Sequence, residues 1–232
     1  LGRVAAFAAL GSVGTLMIGV AQFRLPGLSA GIWYLVHSTL AAAALFLVVD
    51  LIGGRRAGGS LWLRPMPPIA QGGIVGALFF AAAIGIAGLP PLSGFLGKLA
   101  ILQASRHSDH TLLIWSVILV TSLIAIYGFA RAGSTVFWRA HQHGPEPARV
   151  VVAPNDQRPL PPKVEPDECI QDLADAPAPW LALTATATLI AGMALLTVFA
   201  GPMMDYAQAT ARQLVDPAPY VEAVLLRQEG TK

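Results

Sequence analysis

Ala87-Gly-Leu-Pro-Pro-Leu-Ser-Gly-Phe-Leu-Gly-Lys98 lies inside an apolar run that extends over residues 72–103. As one straight helix that run would measure about 48 Å, against a hydrocarbon core of ~30 Å. It must therefore tilt strongly or break. Pro90 and Pro91 remove backbone donors and crowd the preceding turn, while Gly88 and Gly94 permit unusual dihedrals, so residues 88–94 predict a hinge between two half-helices. Unwound backbone at membrane depth is tolerated only where protein or a water-filled cavity surrounds it. Such breaks mark the binding sites of transporters. Lys98 follows the break by about one helical turn, and Arg106, the next polar anchor, lies ~12 Å further along a helix. An ammonium at this depth must face protein or water, where its proton becomes easy to exchange. Snorkelling to the outer interface is at the limit of a lysine's reach, so the expected role of Lys98 is proton carriage.

The rest of the chain fits this setting. Of 232 residues, 55% are hydrophobic and only 12% charged, and the mean hydropathy is +0.61, too apolar for a soluble domain. Five segments, 4–21, 28–51, 72–103, 112–130 with an extension to 138, and 180–201, are long enough to span a bilayer. The fold class expected is an all-α integral membrane protein of about five transmembrane helices, one of them broken. Residues 1–138 hold four spans, residues 139–179 form a polar, proline-rich loop, and 180–201 is the last span. Within 202–232, the mixed stretch 204–215 suits an interfacial helix followed by a tail. Arg3, the Arg55/Arg56/Arg64 loop and the long loop with Arg139, Arg149, Arg158 and Lys163 alternate with a less basic face, which places that loop in the cytoplasm and the C-terminus outside. The chain opens without a methionine and enters an apolar helix at once, as expected of a piece of a longer chain.

Several chemistries are disfavoured. The formal charge of +2, scattered between apolar runs, gives no footprint for nucleic acid. The single cysteine, Cys169, supplies neither a disulfide framework nor a thiolate metal site. No nucleotide loop, nucleophile elbow or metalloprotease helix is visible, so no enzyme chemistry, metal or cofactor is expected. His107, Asp109 and His110 look like metal ligands but occupy a short loop without a fourth donor.

His37 lies ~14 Å from the outer end of the second span, near the bilayer middle. Imidazole both accepts and donates near neutral pH, which suits a relay, although a neutral histidine bonded across helices is the plainer alternative. Ser38 adds a hydroxyl beside it, and Ala41 to Ala44 permit close helix packing. Asp50, at the cytoplasmic boundary, is read as solvated or paired with Arg55 or Arg56, and Arg131 as snorkelling to the same surface. Both are weaker site candidates.

The 87–98 run resembles the broken helix of the antiporter-like subunits shared by Mrp antiporters and respiratory complex I. Residues 34–46 (Tyr-Leu-Val-His-Ser-Thr-Leu-Ala-Ala-Ala-Ala-Leu-Phe), 130–138 (Ala-Arg-Ala-Gly-Ser-Thr-Val-Phe-Trp) and 216–224 (Asp-Pro-Ala-Pro-Tyr-Val-Glu-Ala-Val) are similar to the D-type Mrp subunits in particular. The resemblance covers most of the chain apart from the long polar loop. It implies the C-terminal part of an antiporter-like subunit in a bacterial inner membrane, with other antiporter subunits, lipid, protons and Na+ or K+ as partners. It also implies Lys98 as terminal proton acceptor and His37 as the link towards it. The opening Gly2-Arg-Val-Ala-Ala-Phe-Ala8 departs from the family's Lys-Arg-x-x-x-Tyr-Ser pattern. Three functions follow as expectations: exchange of a monovalent cation for protons, proton pumping within a redox complex, or a structural or inactive piece.

Overall fold

A bilayer demands that each segment pair its own backbone groups, so uninterrupted apolar runs become helices. In the computed structural model, which describes residues 1–56, 61–63, 69, 71–139, 180–216, 218 and 224, seven α-helices follow one another. They are α1 (Gly2–Val20), α2 (Leu25–Gly53), α3 (Gly72–Ala87), α4 (Ser93–Ala104), α5 (Thr111–Gly133), α6 (Trp180–Val198) and α7 (Ala200–Val215). A π-helical turn, Ser134–Trp138, extends α5. The described residues contain no strand. Four helices, α1, α2, α5 with its extension, and α6, are long and apolar enough to cross a membrane, and α3 is a shorter apolar helix. The fold class is the all-α membrane architecture expected from the sequence.

The central column is α2, which packs on α1, α3, α4, α6 and α7. Ala41 and Ala44 are fully buried, and such small side chains let neighbouring backbones approach. Burial from water does not hold helices together inside lipid, where close packing and interhelical hydrogen bonds take over. Accordingly, Leu45, Val48 and Ile52 interlock with Val75, Phe79, Phe129, Val136 and Met193 in one dense cluster. Phe79 meets Phe80 edge-on at 5.3 Å and Phe129 at 6.1 Å between ring centroids. The opposite pattern appears on the periphery, where Phe7, Leu112 and Leu181 stand 70, 84 and 86% exposed. That is how the surface of a membrane bundle looks.

The sequence predicts the end of the last span at residue 201 and the start of the following helix at 204. Instead, α6 stops at Val198 and α7 begins at Ala200. Pro202 therefore sits in the first turn of α7, where no intrahelical donor is lost, so it does not mark a boundary. The α7 helix buries Ala207 and Ala211 and packs mainly on α2. The expected 139–179 loop, apart from Arg139, lies outside the described residues, as does most of the tail after Asp216.

Two ends of the bundle can be told apart. At one, Arg24 Nη1 reaches the carbonyl of His107 at 3.5 Å, joining the α1–α2 turn to the α4–α5 turn. At the other, Arg56 Nη1 donates to the carbonyl of Trp62 at 2.8 Å. Between these ends the interrupted pair α3–α4 crosses the middle.

Candidate proton-transfer site

The helix α3 stops at Gly88, whose φ of 80° is left-handed, a conformation that glycine adopts at no steric cost. Its last carbonyls must then find partners outside the helix. The amides of Gly88 and Leu89 turn back to Ile84 and Gly85. The next two carbonyls are capped by Lys98, whose Nζ donates to Ala87 O at 2.7 Å and Ile86 O at 3.4 Å. Its third proton goes to Ser122 Oγ on α5 at 2.9 Å. Ser122 accepts there because its own hydroxyl is used on Ile118 O, 2.7 Å away. Three N–H groups thus meet three oxygens at the negative end of a half-helix, a setting that stabilises a cation without a carboxylate. A Cβ on Gly88 would fall 2.6 Å from Lys98 Cδ and 3.0 Å from Nζ, so the glycine also makes room for the lysine.

His37 belongs to the other side of the same break. It is fully buried, with Nδ1 2.8 Å from the hydroxyl of Ser93, the first residue of α4. Its Nε2 is buried against the carbonyl of Gly85. The backbone is close: a Cβ on Gly94 would lie 2.8 Å from Nε2 and 2.1 Å from the carbonyl of Gly85. The structure thus gathers His37, Lys98, Gly88, Pro90, Pro91 and Gly94 around one helix interruption. Among the described residues, however, no hydrogen bond joins His37 to Lys98.

Ser38, a weaker candidate, takes part in a separate hydroxyl cluster. Ser12 Oγ on α1 shares hydrogen bonds with Ser38 Oγ at 2.8 Å and with Tyr34 OH at 3.1 Å. The Tyr34 ring stands 5.5 Å from that of His37. Ser12, Ser93 and Ser122 carry no signal in the sequence, since an isolated hydroxyl in an apolar helix usually bonds back to its own turn. Thr121 and Ser116 do so here.

The other candidates stand apart. Asp50 is exposed at the end of α2, which fits solvation, and the neighbouring arginines are engaged elsewhere. Arg55 binds Leu51 O and Gln71 Oε1, and Arg56 binds Trp62 O. Burial lowers the pKa of both guanidiniums from the ordinary arginine value. Arg131 is exposed in the last turn of α5 before its π-helical extension. His107, Asp109 and His110 stand apart at the α4–α5 turn, His110 and Asp109 beside Arg24 around a shallow cavity.

Known proteins share much of this chain. The family profile described as NADH:quinone oxidoreductase/Mrp antiporter, TM, matches residues 1–125. A D-type Na+/H+ antiporter subunit from Alkalihalophilus pseudofirmus is 28% identical over 229 residues, covering 96% of this chain and 39% of the relative. A probable K+/H+ antiporter subunit of the same D type, from Rhizobium meliloti, is 28% identical over 255 residues, covering 97% and 41%. An N-type subunit of NADH-quinone oxidoreductase from Parafrankia sp. is 33% identical over 141 residues, covering 59% and 26%. The chain thus spans about two fifths of the length of the two antiporter proteins.

Proposed function

The chain belongs to the NADH:quinone oxidoreductase/Mrp antiporter transmembrane family, and from that premise we propose that it carries protons within an assembly exchanging Na+ or K+ for protons. In this reading Lys98 is the proton carrier and His37 a relay, and other antiporter subunits are the partners. Protons move inward through a bacterial plasma membrane as the cation leaves. The Arg56 end of the bundle faces the cytoplasm and the Arg24 end the outside.

The observation that carries the reading is the seat of Lys98. Among the described residues Lys98 is held by two carbonyls and a hydroxyl, with no carboxylate among these partners to fix its charge. It can release a proton and take it back without breaking an ion pair, as a carrier must. A redox-driven pump would use the same lysine, and the NADH-quinone oxidoreductase relative supports that second reading. The antiporter reading is preferred because the two D-type relatives from Alkalihalophilus pseudofirmus and Rhizobium meliloti align over nearly all of the chain.

The test is cation-dependent proton exchange in everted vesicles from an antiporter-deficient host making the complete complex. Collapse of a preformed pH gradient on addition of Na+ or K+ supports exchange. A gradient insensitive to either cation, but generated by quinone reduction, transfers the chain to the redox pump.

The relay role has its own check. His37→Gln can still bond Ser93 but cannot titrate, so exchange is expected to fall roughly hundredfold at unchanged complex abundance. Exchange at the wild-type rate in this variant removes His37 from the path.

A further inference from the structure

Lys98 is far better connected to a cavity than to His37. Between α1 and α5 lies a space of about 380 Å³, lined by Ser12 and Thr15 from one helix, Thr121 and Ser122 from the other, and Lys98 itself. Liquid water takes roughly 30 Å³ per molecule, so the space has room for several. Its walls are otherwise apolar, with Gly11 and Ala125 among them. The polar groups therefore form the line that water would follow.

Ser12 also belongs to the hydroxyl cluster on the α2 side, through Ser38 at 2.8 Å and Tyr34 at 3.1 Å. One residue thus touches both the polar stretch of α2 and the cavity that reaches Lys98. We propose that protons handed on from the His37 region of α2 reach Lys98 by way of Ser12 and water in the α1–α5 cavity, with Ser122 positioning the lysine at its far wall, and not through a direct bond between His37 and Lys98. This deepens the exchange reading above and rests on it for its rate measurements.

The route is physically sound because hydroxyls both donate and accept, so a proton can enter the Ser12 cluster on one side and leave on the other. A water file then spans the remaining gap without any titratable side chain. The direct alternative has no bonded link among the described residues, since His37 Nδ1 is held by Ser93 and Nε2 lies against the Gly85 carbonyl.

Two glycines make the test clean. A Cβ added at Gly11 or at Gly14 meets nothing within 4 Å, so a side chain can leave the backbone at either position without a contact at its first carbon. Gly11 lines the cavity and Gly14 does not. In the complete complex, Gly11→Phe should lower cation-dependent exchange about tenfold or more, whereas Gly14→Phe should exchange like the wild type. Ser12→Ala should lower exchange severalfold, and Ser12→Thr, which restores a hydroxyl, should recover it.

A second readout does not depend on exchange. In a Cys169→Ser background, Ala125→Cys places a thiol on the cavity wall, and a maleimide reacts only with the thiolate that water supports. Labelling by a water-soluble maleimide, suppressed when Gly11→Phe is added, is the expected result. Wild-type exchange by Gly11→Phe, or an Ala125→Cys thiol that resists the reagent, overturns the proposal. Absence of exchange in the wild-type complex would defeat the antiport reading instead, leaving labelling to decide whether the cavity carries water.

Discussion

Lys98→Arg is expected to abolish cation-dependent proton exchange while the complex assembles at the wild-type level. Arginine keeps a positive charge and several N–H donors at the end of α3, so the carbonyls of Ile86 and Ala87 and the Ser122 hydroxyl can retain partners. A guanidinium does not release its proton at accessible pH. The variant therefore separates the capping role of Lys98 from its proton chemistry. Lys98→Ala is the harsher companion, because it strips the donor from three oxygens at once. Each buried acceptor left unpaired costs about 1–3 kcal/mol, although the adjoining cavities of about 380 and 300 Å³ give water access to them. Assembly of Lys98→Ala should thus be weakened but not lost. Exchange would be read in everted vesicles and abundance by blotting of the purified complex. If Lys98→Arg exchanges normally, the lysine is a structural cap and the proposed path has no carrier.

The residues that can be read from the sequence are those whose chemistry conflicts with their surroundings. Lys98 and His37 interrupt apolar runs, and a charge or imidazole there is costly enough to announce itself. The spans are legible for a similar reason, since their length matches a bilayer and their polar content is low. The groups that hold Lys98 are not legible. Two are backbone carbonyls, which every residue possesses, and they become available only because the chain turns at Gly88. The third, Ser122, looks from sequence like Thr121 or Ser116, which bond carbonyls three or four residues back in their own helix, as the Ser122 hydroxyl also does. What distinguishes it is the register of α5 against the interrupted pair, a tertiary property. Ser12 is hidden in the same way, because its partners come from α2 across a helix interface. Pro202 misleads in the opposite direction: from sequence it reads as the border between two elements, but in a first turn a proline costs the helix nothing.

The largest effect on folding is expected from a single methyl group, in Gly94→Ala. A Cβ at this position would stand 2.1 Å from the carbonyl oxygen of Gly85 and 2.8 Å from His37 Nε2. The first contact is with backbone inside α3, which no rotamer change can relieve. To restore ordinary contact, α4 must withdraw from α3 by more than about an ångström on the scale of normal packing distances. That movement would pull Ser93 away from His37 and shift Lys98 off the end of α3, since these contacts depend on the same approach of the two half-helices. Overpacking a well-filled core costs about 1–3 kcal/mol and more when the backbone must move, a large part of a typical stability of about 5–15 kcal/mol. Gly73→Ala, in the same apolar run, provides the opposite sign. Nothing lies within 4 Å of its Cβ, and alanine in place of a helical glycine stabilises by roughly 0.5–1 kcal/mol. Thermal unfolding of the detergent-purified complex should therefore drop by several degrees for Gly94→Ala and hold or rise for Gly73→Ala. Equal melting of Gly94→Ala and the wild type would mean that α3 and α4 do not meet at the distance described, and the shared seat of His37 and Lys98 would go with it.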